Sequence, residues 1–185
     1  MQALDMIWEE QNLRFEFGKQ WRVLKLDDHP DYRDRIAKLD GTKSVDFLGI
    51  FNERVFYFIE VKDFRGHRIE NKDRLQDGLL ADEVGQKVRD SLACVISAHR
   101  NSAQQELWKK FVDLICNRQK DIKVIIWLEQ DLPAHPIQQR KVLASISSIK
   151  FKAKLAWLTR YVLVSSLDNN ILPDVKVVNL PRKTS

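Results

Sequence analysis

A chain of 185 residues, 44% hydrophobic and 31% charged, has the size and composition of a protein with one sizeable core. No apolar run approaches the roughly 18 to 20 residues that span a membrane, and MQALDMIWEE lacks the basic-then-apolar order of a signal peptide. A single cytoplasmic domain over residues 1–185 is expected, with a core at about 1–165 and an extension at 166–185. The net charge of +5 is unevenly spread: residues 1–131 hold 22 Lys and Arg against 24 Asp and Glu, whereas residues 132–185 hold 9 against 2. Cys94 and Cys116 fall in separate helical patterns without a CxxC or a nearby His, so the expectation is two reduced core thiols rather than zinc or a disulfide.

Leu4 to Gln11 reads as a short helix with Leu4, Ile7 and Trp8 on one stripe and Glu9 and Glu10 off it. Leu13 to Phe17 alternates, Gly18-Lys19-Gln20 can turn, and Trp21 to Leu26 reads as a strand. Asp27-Asp28-His29-Pro30-Asp31 has the composition of a metal cluster, but the chain breaks at Pro30 and a polar turn is the expected form. Tyr32 to Gly41 is charged and without clear period.

The next stretch organises the chain. Val45 to Phe51 and Val55 to Val61 flank Asn52-Glu53-Arg54, the pattern of a hairpin with a three-residue loop. With Phe51 opposite Val55, counting back by twos sets Asp46 opposite Glu60, and side chains at opposed positions share a face with Cβ atoms about 5 Å apart. Facing carboxylates repel, so this register needs a shared proton or a cation between them. Lys62 projects from the same face, which Leu48, Ile50, Phe56 and Phe58 continue as an apolar surface. A loop one residue longer or shorter would send the acids to opposite faces. The competing reading is an Asp46 that ends its strand in solvent beside an ordinary Glu60–Lys62 ion pair.

Beyond Lys62, Arg65, His67 and Arg68 either reach phosphates or belong to a solvated loop. Leu79 to Ala98 is helical, with Ala81, Val84, Val88, Ser91, Leu92 and Val95 as its buried sector. Lys87 projects within that sector's limits, either as a stem running past apolar neighbours or as a group reaching the rim of the hairpin. Ser102-Ala103-Gln104-Gln105 has the form of a capping box ahead of a helix with Leu107, Phe111, Leu114 and Ile115 on one stripe. Val124 to Leu128 and Tyr161 to Ser165 are continuous apolar runs, the mark of covered strands, with a helical pattern from about Ile137 between them. Val175 to Asn179 is a short further strand. The order is that of a mixed α/β sandwich: an antiparallel meander first, then strands added through helical crossovers.

An acid, a strand-turn-strand interval, then Glu60-Val61-Lys62, set in this order of elements, resembles the PD-(D/E)xK, or restriction-endonuclease-like, nuclease superfamily over about residues 1–165. The resemblance implies a three-layer sandwich with a central mixed β-sheet flanked by helices. It implies Asp46 and Glu60 as metal-binding acids, the Val61 carbonyl as a further ligand and Lys62 as the catalytic lysine. Val45 stands where the family name has proline. Relatives often carry an acid on the first helix, which suggests Glu10, against its reading as a solvated surface residue. They also carry a polar residue on the later helix facing the site, for which geometry favours Lys87 over Gln86. The implied activity is hydrolysis of phosphodiester bonds, usually in DNA, with Mg2+ as cofactor and Mn2+ as a substitute.

From Leu132 to Leu167 there is no Asp or Glu, yet Arg140, Lys141, Lys150, Lys152, Lys154 and Arg160 all fall there. A polyanion against that face accounts for the bias, against the reading of a merely soluble basic helix. Trp157 and Tyr161 are expected in the core, against a reading as base-stacking groups. The expected partner is therefore nucleic acid, DNA before RNA, with a homodimer suited to a double-strand cut. The competing function is a catalytically inactive nucleic-acid-binding module of the same fold.

Overall fold

The computed structural model describes residues 6–66, 77–131 and 148–181. Three short strands open the chain: β1 (Met6–Glu10), β2 (Leu13–Phe17) and β3 (Trp21–Lys25). The expected N-terminal helix is a correction, because Leu4, Ile7 and Trp8 fit a helical stripe but Met6, Trp8 and Glu10 also alternate with exposed Ile7 and Glu9. Antiparallel pairing decides between the two periods: Met6 lies opposite Phe17 and Glu10 opposite Leu13, across a turn in which Gln11 is left-handed, φ 54°. β2 pairs on its other side with β8 (Val175–Asn179), Phe17 opposite Val175, so these three strands form a small sheet of order β1-β2-β8. The segment expected as a terminal extension thus carries a strand of the fold.

The larger sheet has the order β3-β4-β5-β6-β7, with β4 at Phe47–Phe51, β5 at Val55–Asp63, β6 at Asp121–Glu129 and β7 at Tyr161–Ser165. Its first three strands are the expected antiparallel meander, and β5, β6 and β7 run parallel. The hairpin register is as read: Phe51 faces Val55 and Phe47 faces Ile59. Asn52 and Glu53 are both left-handed, and the Arg54 amide returns to the Phe51 carbonyl at 3.1 Å, a turn whose twist suits the two strands.

Alternation along β4 and β5 divides the core in two. Leu48, Ile50, Phe56 and Phe58 face α2 (Leu79–Asn101) and α3 (Gln105–Cys116), together with Phe151 and Leu155 of α4, a helix over residues 148–155. Phe47, Tyr57, Ile59 and Val61 face the small sheet and pack with Leu13, Phe15 and Phe17. Among the described residues the mixed five-stranded sheet, flanked by helices as expected, also has a second, smaller sheet packed against it. Burying these side chains gives about 1.5 to 3 kcal/mol for each large one, so both faces are held strongly. No helix of the described residues is long and apolar enough to cross a membrane.

Other local expectations are corrected. α3 begins at Gln105, and Ser102 caps differently from a capping box: its Oγ accepts the Gln104 amide at 2.9 Å and donates to Asp31 Oδ2 at 2.7 Å. That carboxylate also takes the Trp108 indole N–H at 2.8 Å. α1 (Pro30–Arg33) is a single turn, capped by His29, whose Nδ1 accepts the Asp31 amide. Cys94 is buried, but Cys116 is exposed, because it closes α3 at its outer end. Trp157 is 55% exposed and not a core residue. Tyr161 is partly buried, with the Arg160 guanidinium 4.9 Å from its ring centre.

Candidate metal centre

β5 is nine residues long, but β4 accompanies it only as far as Ile59. From Glu60 to Asp63 the edge of β5 facing β4 would carry unmet backbone groups, which are costly when buried. Side chains meet them instead. Asp46 Oδ2 accepts the Val61 amide at 2.6 Å, Gln11 Nε2 donates to the Val61 carbonyl at 3.0 Å, and Gln11 Oε1 accepts the Asp63 amide at 2.6 Å. The place where β4 turns away is therefore a notch lined by polar side chains.

Two groups of charges meet there. On the helical side, Glu60 is fully buried, and Lys62 and Lys87 approach its Oε1 at 3.0 and 2.7 Å. Both ammonium groups lie on the same carboxylate oxygen, so the buried charge of Glu60 is met by two close ion pairs. Lys62 is shared with Glu83 of α2 at 2.9 Å, while Lys87 also lies 3.9 Å from Asp46 Oδ1. The Glu83 and Lys87 spacing of four residues stacks them on one face of α2. Gln86 turns away and donates to the Gly41 carbonyl, so Lys87 is the residue of this helix that reaches the acids.

On the other side, carboxylate oxygens of Glu10, Asp27 and Asp46 all lie within 4.8 Å of one another. Lys25 stands against this group, 3.0 Å from Glu10 Oε2 and 3.2 Å from Asp28 Oδ2. Asp46 belongs to both groups and couples them.

The electrostatics follow from burial. Removal from water, and next the charge of Glu60, push Asp46 up to about 8, against the pull of Lys87 and the Val61 amide. Burial likewise raises Glu60 despite its two lysines, and takes Asp27 to about 6. Burial opposes the charge of Lys62, but Glu60 and Glu83 outweigh it and the ammonium is held more firmly protonated. Burial thus holds Asp46, Glu60 and Asp27 towards their protonated forms even with three lysines beside the acids.

A divalent cation fits this donor set. Glu10, Asp27 and Asp46 are close enough to share an ion, and Glu60 lies beside them with Lys62 and Lys87 against its carboxylate. All these donors are hard oxygens, which suit magnesium, calcium or manganese rather than zinc or copper.

Of the residues singled out from the sequence, Asp46, Glu60, Lys62 and Lys87 converge, and Glu10 joins them from a strand rather than a helix. The Val61 carbonyl opens into the notch but is held by Gln11. Arg65 does not face outward for phosphate: Asp63 binds its Nε and Nη2 at 2.7 and 2.6 Å, and Asn179 accepts from Nη1 at 2.6 Å. Lys152 and Lys154 are exposed, Lys154 being paired with Asp82, and Lys150 is partly buried. His67, Arg68, Arg140 and Lys141 lie outside the described residues, as does most of the helical pattern from Ile137.

Sequence reasoning missed Asp27, Gln11, Lys25 and Glu83. A signal for Asp27 existed. Extending the meander by one strand pairs Lys25 with Phe47, and the Leu26 amide donates to the Asp46 carbonyl at 2.8 Å, so residue 27 lands beside Asp46. No protein-family model, no curated protein and no solved structure matches this chain.

Proposed function

We propose that this protein is a magnesium-dependent nuclease of the PD-(D/E)xK type that hydrolyses phosphodiester bonds, with DNA as the preferred substrate. The observation that carries the reading is the notch between β4 and β5, where Asp46 and Glu60 meet Lys62 and Lys87. Asp46, Glu10 and Asp27 would hold the ion, with Glu60 beside them. Such an ion supplies Lewis-acid stabilisation of a phosphate and lowers the pKa of a coordinated water. Lys62, kept protonated between Glu60 and Glu83, stabilises negative charge developing on the phosphoryl oxygens. Lys87 holds the Glu60 carboxylate from the helical side. The exposed Lys152 adds to the positive field that attracts a polyanion.

The competing reading, an inactive binding module, draws on Lys25, Lys62 and Lys87, which already offset much of the acid charge. One experiment separates the two: incubation of single-stranded, double-stranded and branched DNA and of RNA with the protein, with and without Mg2+. The nuclease reading expects Mg2+-dependent cleavage that disappears in Asp46→Asn and Lys62→Met. Absence of cleavage on every substrate, or undiminished cleavage by Asp46→Asn, overturns it.

A further inference from the structure

We propose that the groove between α2 and the end of α4 is a stacking site for an unpaired nucleobase, so that the polymer engaged here is single-stranded; the inference rests on the nucleic-acid reading above. The groove has a volume of about 250 Å³ and is lined by Asp82, Gly85, Gln86, Arg89, Lys154 and Trp157. That lies below the roughly 300 Å³ at which sites for drug-sized molecules begin, and it suits one planar ring rather than a whole cofactor.

Trp157 is the reason to look there. An indole is large and amphipathic and gains most by burial, yet this one is 55% exposed. A single exposed aromatic is unremarkable by itself. Here, however, the surrounding walls are polar and carry charges of both signs rather than apolar groups, which disfavours a hydrophobic protein partner. Arg89 enters from α2, gripped at its Nε and Nη2 edge by Asp90 at 2.9 and 2.8 Å. Lys154 enters from α4, held by Asp82. At Gly85 the two helices come close: a Cβ there would stand 3.7 Å from the Lys154 Cβ, so the floor of the groove is bare backbone. An exposed aromatic ring in one groove with Arg89 and Lys154, each steadied by an acid, offers a face for a base and side chains for the adjoining phosphates.

Position supports the same reading. Asp82 and Gln86 line the groove, and their sequence neighbours Glu83 and Lys87 line the acidic notch. Adjacent helical residues differ by about 100° in direction and 1.5 Å in height, so the two sites share the same turns of α2 on neighbouring faces. A strand stacked at Trp157 would run along α2 beside the notch. A duplex keeps its base faces stacked inside and has none to offer the indole, whereas an unpaired strand does.

The test is fluorescence anisotropy with labelled oligo(dT), oligo(U) and an oligo(dT)–oligo(dA) duplex, in EDTA at fixed ionic strength. The expected result is tighter binding of the single strands. Trp157→Ala should weaken that binding about tenfold, one stacked base being lost. Trp157→Phe should stay within about threefold, and duplex binding should be unchanged in both. Thermal unfolding of the variants checks that the exposed position is neutral to the fold. Native protein that binds duplex as tightly as single strands, or Trp157→Ala with native affinity, or equal losses in Ala and Phe variants, overturns the inference. Because EDTA removes divalent ions, the outcome is independent of cleavage: single strands bound through Trp157 but never cut would sink the nuclease reading alone.

Discussion

Asp46 Oδ2 accepts the Val61 backbone amide at 2.6 Å, taking the place of a ladder carbonyl where β4 leaves β5. The residue at the centre of the candidate site is therefore also a structural acceptor. Asn keeps an acceptor there and Ala does not, and an orphaned buried amide costs about 1 to 3 kcal/mol. In urea unfolding without divalent ions, Asp46→Ala should be less stable than Asp46→Asn by about that amount. Equal midpoints for the two variants would mean the bond contributes nothing.

Gly49 of β4 lies directly beneath the Trp21 indole, and an added Cβ would come within 2.7 Å of its ring. Trp21 is itself fixed, since its indole N–H donates to the Pro173 carbonyl at 2.7 Å and its ring packs on Tyr57. Gly49→Ala should destabilise by about 1 to 3 kcal/mol through overpacking. The same change combined with Trp21→Phe should recover part of the loss, and a calorimetric double-mutant comparison reads the coupling. Simple additivity would rule the contact out as the cause.

Glu129 gives a prediction about pH. Its Oε1 accepts both the Trp127 indole N–H at 2.9 Å and the Leu167 amide at 2.7 Å, yet burial outweighs these bonds and raises its pKa. A carboxyl with a raised folded-state pKa binds more protons folded than unfolded, so its contribution to stability falls as pH rises past the ordinary glutamate value. Gln at this position keeps a carbonyl for both donors without the charge. Glu129→Gln should unfold at a higher temperature than the native protein at pH 8, with the advantage shrinking towards pH 4. An advantage that does not change with pH would contradict the assignment.

The two thiols should separate cleanly in a labelling experiment. Burial pushes Cys94 up to about 12, with the nearby Asp31 adding to the shift, whereas Cys116 is exposed at the end of α3. At pH 8 a maleimide should modify one thiol quickly and the second only under denaturant. A Cys116→Ser protein that still reacts quickly when folded would count against the burial of Cys94.

The hairpin was legible because loop length and two-residue alternation together fix a register, and Asp46 opposite Glu60 is simple counting from there. β6 and β7 were legible as continuous apolar runs, and β8 by its β-branched residues. The small sheet was not. β2 meets β8 across more than 150 positions, and no local pattern announces a pairing at that distance. Residues 4–8 fit two periods at once, and only the partner strand chooses between them. Asp27 was read as part of a turn, which is true of its backbone; its side chain acquires a role through the β3–β4 pairing. Trp157 was assigned to the core by residue type, which says nothing about whether a neighbour arrives to cover it.

Lys25, Lys62 and Lys87 come from three different elements, and each is within 3.0 Å of a carboxylate in the notch. They act as internal counterions, so assembly of the acids does not wait for a visitor from solution. Chelation should therefore leave the fold standing, unlike zinc fingers, whose shape depends on their ion. On the nuclease reading proposed above, folding and activity would then respond separately to magnesium.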